Sequence, residues 1–173
     1  MCEVQPIWCV MVSSLSNQRA DLDAFDLAIL TILQKDNTTP QRTIGERVNL
    51  SAAAVQRRIK RMRETGVIAG DVTILNPARV GQPLTLVVEV VVESERIDLV
   101  DAAKANFVRC PEVQQCYYVT GDADFVLIVT VPTMADYEDL TRRLFFENSN
   151  IKRFRTLVVM DRVKIGLTVP LER

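Results

Sequence analysis

The chain of 173 residues contains no histidine, which removes the commonest general base and the commonest metal ligand together. Cysteine is scarce as well. Cys2, Cys9, Cys110 and Cys116 include no Cys-x-x-Cys pair, and without histidine they cannot complete a usual zinc set. They read as buried or free thiols of a reducing cytosol. The apolar run Trp8 to Val12 is far shorter than the roughly 20 residues that cross a bilayer. Glu3, rather than lysine or arginine, precedes it, so it is a poor signal peptide too. No glycine-rich phosphate loop and no nucleophile–base pair is visible; Asp122 and Asp124 are the one close acidic pair in a plausible pocket. These absences argue against an enzyme, a metal site, a bound cofactor and a membrane partner, and for a cytoplasmic protein.

What is present is an ordinary globular balance, 48% hydrophobic and 25% charged residues, long enough for two small domains. The net charge of -1 conceals a local cluster: five basic residues and no acid between Arg57 and Arg63. A near-neutral protein can still carry a basic stripe that faces nucleic acid. Residues 1–20 read as a disordered or loosely docked leader, with Met11 as an alternative first residue.

Beyond the leader, Leu22, Phe25, Ile29, Ile32 and Leu33 recur at helical spacing, and Asp23 and Asp26 occupy a first turn where the helix dipole favours acids. A first helix is therefore expected from about Asp23 to Lys35. Thr39 and Pro40 read as an N-cap and a first-turn proline, opening a short second helix to about Val48 with Ile44 and Val48 inward. After a tight turn at Asn49-Leu50, Ser51 caps a third helix that ends near Gly66. Val55, Ile59 and Met62 share its core side; Ala53, Arg57, Lys60 and Arg61 lie opposite, with Gln56 on the flank. This is the pattern of a helix-turn-helix, expected over 21–66.

From Val67 to Leu75 the chain looks extended, and Asn76-Pro77, Gly81 and Pro83 complete a linker over 67–83. Over 84–173 the elements alternate: a strand from Leu84 to Glu93, a helix with Leu99, Val100, Ala103 and Phe107, strands around Val113 to Thr120 and Asp124 to Val131, a helix with Met134, Tyr137, Leu140 and Leu144, and a last strand from about Arg153 to Val163. The order is βαββαβ, a ferredoxin-like α+β unit. Phe125, Leu127 and Val129 make one strand face apolar, and Val126 and Ile128 make the other apolar too. Helices cover only one face, so a second sheet, and hence a dimer, is expected on the other.

Several local signatures lie in register with this plan. They are Leu22-Asp-Ala-Phe-Asp-Leu-Ala-Ile-Leu, Val48-Asn-Leu-Ser leading into Ala-Ala-Ala-Val-Gln-Arg-Arg-Ile-Lys-Arg-Met, Gly66-Val-Ile-Ala-Gly, Gly121-Asp-Ala-Asp, and Thr156 ahead of Val163-Lys164. On these the chain, from about Leu22 to Leu171, resembles the Lrp/AsnC (leucine-responsive/asparagine-responsive) family of transcriptional regulators. The resemblance implies a homodimer built by the sensing domains and assembled further, to an octamer or similar ring, with a free amino acid bound between dimers. Three positions depart from the family pattern. Ala123 stands where an aromatic residue is common, Met62-Arg63 where Leu-Glu is common, and Thr38 where arginine is common.

Two sites follow. In the major groove of double-stranded DNA, Ala52, Ala53, Gln56 and Arg57 would meet base edges, Lys60 and Arg61 would meet phosphate, and Ser51 and Thr43 would add backbone contacts. Alanines let the helix approach closely but carry little hydrogen-bond information, so DNA shape should supply part of the specificity. In the second site, Gly121 exposes its amide to a carboxylate, and Asp122 or Asp124 offers acceptors to an ammonium group. The resemblance places Thr156 and Thr168 near this loop. The competing reading is an architectural DNA-binding protein that needs no effector.

Overall fold

The computed structural model describes residues 20–171, so the expected leader lies outside the described residues except for Ala20. The chain forms two units. One comprises 20–73 together with 165–171; the other runs from Ile74 to Lys164. No helix among the described residues is long and apolar enough to cross a membrane.

The first unit holds α1 (Ala24–Lys35), α2 (Gln41–Val48) and α3 (Ala52–Glu64). Asp23 caps α1 through a reciprocal box with Asp26: each carboxylate accepts the other's backbone N–H, at 2.9 and 3.2 Å. Ile29, Leu30, Ile44, Val48, Val55, Ile59 and Met62 form the core, with Leu22, Ile32 and Leu33 packed at its edge. Phe25, which shares the helical spacing of these residues, stands outside the core. It is 44% exposed and lies beneath the Arg58 guanidinium, 5.5 Å from the ring centre. Thr39 does not cap α2. Its hydroxyl donates to the Asp36 carbonyl, and Pro40, which has no side-chain donor or acceptor, takes the cap position.

The second unit contains β1 (Leu84–Val92), α4 (Ile97–Arg109), β2 (Val113–Tyr118), β3 (Phe125–Val131), α5 (Met134–Thr141, continued by a π-helical turn Arg142–Phe146) and β4 (Ile151–Val158). The sheet order is β2-β3-β1-β4, antiparallel throughout, as the ferredoxin-like plan requires. Leu86, Val88, Val90 and Val92 of β1 and Phe125, Leu127, Val129 and Val131 of β3 are buried with Val100, Phe107, Leu140 and Phe145 from the helices. Burial of each large side chain contributes about 1.5–3 kcal/mol. The opposite face carries Val87, Val91, Val126 and Ile128, all half-buried, with exposed Tyr117 and Leu157.

β4 stops five residues short of the expected end at Val163. Its partner β1 begins at Leu84, just after Pro83, and the ladder runs out one bond past Val158, where the Val159 N–H donates to the Thr85 carbonyl at 3.0 Å. The segment beyond leaves the sheet. From Ile165 it belongs to the helical unit, where Leu171 packs against the core, so the expected 84–173 domain gives up its last residues. The linker also divides: Val67 and Ile68 pack on the helical core, and a 3-10 turn over Pro77–Val80 precedes β1.

Candidate DNA interface and effector pocket

The turn between α2 and α3 depends on two backbone positions. Asn49 takes the left-handed conformation at φ 56°, and the Leu50 N–H donates to the Gly45 carbonyl at 2.9 Å. A Cβ on Gly45 would run into the Leu50 carbonyl oxygen, so only glycine lets the two helices meet this closely. Ser51 then caps α3 by accepting the Ala54 N–H at 3.2 Å. With Val55, Ile59 and Met62 buried, Ala52, Ala53, Gln56, Arg57, Lys60 and Arg61 are all exposed, while Thr43 on α2 is half-buried.

The basic run on α3 does two jobs. Arg58 donates to Asp23 at 2.7 Å and to Asp26 at 2.8 Å, and Arg61 donates to Asp26 at 2.5 Å. Asp26 is 1% exposed, so these arginines clamp α3 onto the start of α1. The Asp26 amide, then the Arg58 guanidinium, hold the Asp23 carboxyl below its ordinary pKa; Arg58 is raised in turn, first by Asp26. Lys60 lies 3.7 Å from Glu64, and Arg63 pairs with Asp71 at 2.7 Å. Within the run, Arg57 alone has no acidic partner among the described residues. Arg61, read from the sequence as a phosphate ligand, thus carries a structural bond as well. Thr38 is tied into its loop by two bonds to the Asp36 carboxylate.

In the sheet unit the loop between β2 and β3 places Gly121 at φ 122°, followed by exposed Asp122 and half-buried Ala123. Asp122 and Ala123 border a cavity of about 160 Å³ with Glu89, Val91, Arg153, Phe154 and Arg155. Glu89 and Arg155 face each other across β1 and β4 and make a two-pronged pair at 2.8 and 3.0 Å, which raises the Arg155 pKa. Arg153 and Asp122 have no ion-pair partner among the described residues. The cavity therefore offers one uncommitted charge of each sign.

Other expected effector residues sit differently. Asp124 is stapled to β1: its carboxylate accepts the Val92 N–H at 2.8 Å and its own N–H donates to the Val90 carbonyl at 2.9 Å. That bonding organises the loop and leaves Asp124 less able to serve an ammonium group. Thr156 faces the helix side of the sheet, where its hydroxyl bonds Tyr137 at 2.5 Å; its register alternates with Arg155, which points to the cavity side. Thr168 lies in the C-terminal segment of the helical unit. Within one chain, then, Asp122 is the one expected effector residue that borders the cavity; Gly121 precedes it in the loop without lining the cavity, and the two threonines do not line it either. Sequence reasoning missed Glu89, Arg153 and Arg155, whose only signal was charge on a strand face otherwise rich in valine and isoleucine.

Residues 22–63 match the model of the AsnC-type helix-turn-helix domain, and residues 85–169 match that of the Lrp/AsnC ligand binding domain. The chain belongs to the Lrp/AsnC family. An uncharacterised HTH-type transcriptional regulator of Sinorhizobium fredii is 48% identical over 164 residues, 95% of this chain and 97% of its own. The leucine-responsive regulatory protein of Escherichia coli K12 is 32% identical over 154 residues, 89% of this chain and 94% of its own. The crystal structure of an AsnC family regulator from Agrobacterium tumefaciens superposes with a TM-score of 0.82 at 31% identity, over 87% of this chain and 97% of that one. This Lrp/AsnC chain is accordingly a transcriptional regulator with a DNA-binding helix-turn-helix unit and a ligand-binding α+β unit.

Proposed function

We propose that this regulator binds double-stranded DNA sequence-selectively in the cytoplasm and that a free amino acid, held at the cavity bordered by Asp122 and Arg153, alters its assembly or its DNA affinity. The observation that carries the effector reading is the pair of uncommitted charges at the cavity. Arg153 suits a carboxylate and Asp122 an ammonium group, the two ends of a zwitterion. The name of the E. coli relative points the same way. At about 160 Å³ the cavity is small beside ordinary ligand pockets, which fits a site completed by a neighbouring subunit. Ala123, in place of an aromatic side chain, leaves that neighbour or the ligand more room.

The apolar outer sheet face supports a homodimer, with further assembly to an octamer as the family resemblance implies. On the DNA side, Ala52, Ala53, Gln56 and Arg57 are the exposed side chains at the start of α3, suited to base edges; Lys60, the free part of Arg61, Ser51 and Thr43 are suited to the backbone. Arg57→Ala should weaken binding by about 1–3 kcal/mol if the guanidinium makes a two-pronged base contact; unchanged affinity across several operator sequences would remove Arg57 from the reading set. A thermal-shift panel of the twenty amino acids tests the effector, because a ligand selective for the native state raises its melting temperature. A flat panel would leave the architectural reading in possession.

A further inference from the structure

β1 and β4 are neighbours and antiparallel, so the entrance of β1 and the exit of β4 lie side by side, with Leu86 opposite Val158. Both chain connections to the helical unit therefore leave from one end of one strand pair: the linker ahead of Leu84 and the segment after Val158. The other half of the same pair borders the cavity, with Glu89 and Val91 on β1 and Arg153 and Arg155 on β4. The Glu89–Arg155 pair bolts the two strands together there.

The segment leaving β4 ends in a defined grip on the helical unit. The Gln34 side-chain amide on α1 donates to the Val169 carbonyl at 3.1 Å and accepts the Val169 N–H at 2.7 Å. One amide that satisfies both backbone groups of one residue acts as a neighbouring strand would, and fixes that residue's position along the helix. Two residues later Leu171 packs against the core shared by α1, α2 and α3. Two connections that leave one strand pair give a shift of that pair a covalent path to the helical unit.

We propose that the C-terminal segment is the transmission arm of this regulator: occupancy of the cavity shifts β4 against β1, and the Gln34–Val169 grip passes that shift to the DNA-binding helices. Gln34, on α1 and outside both the proposed reading set on α3 and the cavity lining, is then a positioning residue. The proposal rests on the cavity being the effector pocket, and a ligand-free experiment separates its failure from the failure of that reading.

The experiment is a double-mutant cycle in DNA affinity at fixed salt. Arg155→Ala unbolts the strand pair, and Ala123→Tyr fills the cavity with the strand pair intact. Each is made in the wild-type chain, in Gln34→Ala, and in a chain ending at Lys164, after circular dichroism has shown native helix content. If the shortened chain fails to fold, Gln34→Ala carries the test. The expected result is that at least one cavity variant changes the dissociation constant about five-fold or more in the wild type, and that Gln34→Ala or the shortened chain abolishes this change. Equal fold-changes in all backgrounds, within the roughly two-fold of independent sites, would overturn the proposal, as would no change in the wild type from either variant. An effector found by thermal shift should behave alike: Gln34→Ala should still bind it but no longer pass its effect to DNA.

Discussion

Asp26→Ala is the substitution that tests the architecture of the DNA-binding unit most sharply. Asp26 is 1% exposed and accepts hydrogen bonds from Arg58, Arg61 and the Asp23 backbone N–H. Removing one partner of a buried ion pair costs about 3–5 kcal/mol, because the other charge is left stranded. Here the stranded charges are only partly buried: the side chains of Arg58 and Arg61 are 24% and 51% exposed, so water takes up part of the loss. The expected cost is about 2 kcal/mol, or about 10 °C in melting temperature for a unit of this size. Asp26→Asn keeps the shape and one acceptor but loses the charge, and should cost about half as much. Urea unfolding followed by far-UV circular dichroism reads this as a lower midpoint at unchanged slope. A loss under about 0.5 kcal/mol for Asp26→Ala, or an Asn variant weaker than the Ala variant, would show that the arginines do not clamp α1 to α3.

Other outcomes follow from the same structure. Gly45→Ala gains helix propensity of about 1 kcal/mol but drives a methyl group into a backbone oxygen of the turn; the clash should win by about 1–2 kcal/mol net, seen as earlier urea unfolding, with a neutral result contradicting the tight turn. Ile128→Asp puts a charge on the outer sheet face without touching the inner core, so sedimentation at micromolar concentration should move from dimer or larger species toward monomer; an unchanged profile would place the interface elsewhere. Burial pushes the Cys110 and Cys116 thiols up to about 11. Unfolded thiols ionise near 9 while the folded ones stay protonated, so this contribution to stability is intact below pH 9 and is lost as pH rises from 9 toward 11. Melting temperatures of wild type and Cys116→Ala across that range should converge if the thiol matters, and run parallel if it does not.

The parts of the fold readable in the sequence were those with a period. Ile29, Val55, Ile59 and Met62 announced helices, and the alternation of Phe125, Leu127 and Val129 with Val126 and Ile128 announced a two-faced strand. Ser51 and the turn after Val48 fell where short-range rules place them. What escaped was decided by partners distant in sequence. The end of β4 depends on where β1 starts, so the strand expected to reach about Val163 stops at Val158, where its partner runs out. Arg61 looked like a solvent-facing base until α1 brought Asp26 against it. Asp124 looked available for a ligand until β1 claimed its carboxylate. Thr156 was assigned to the cavity by resemblance, and its strand register within this chain turns it toward Tyr137 instead.

The most direct measurement is a gel shift of the purified protein on the DNA upstream of its own gene, with and without pooled amino acids. Salt must be held constant because phosphate contacts make affinity depend steeply on ionic strength. Discrete shifted species whose midpoint moves at least about five-fold with one pool are the predicted result. Binding that ignores every pool would contradict the effector half of the account, and no binding above nonspecific background would contradict its DNA-binding half for that target.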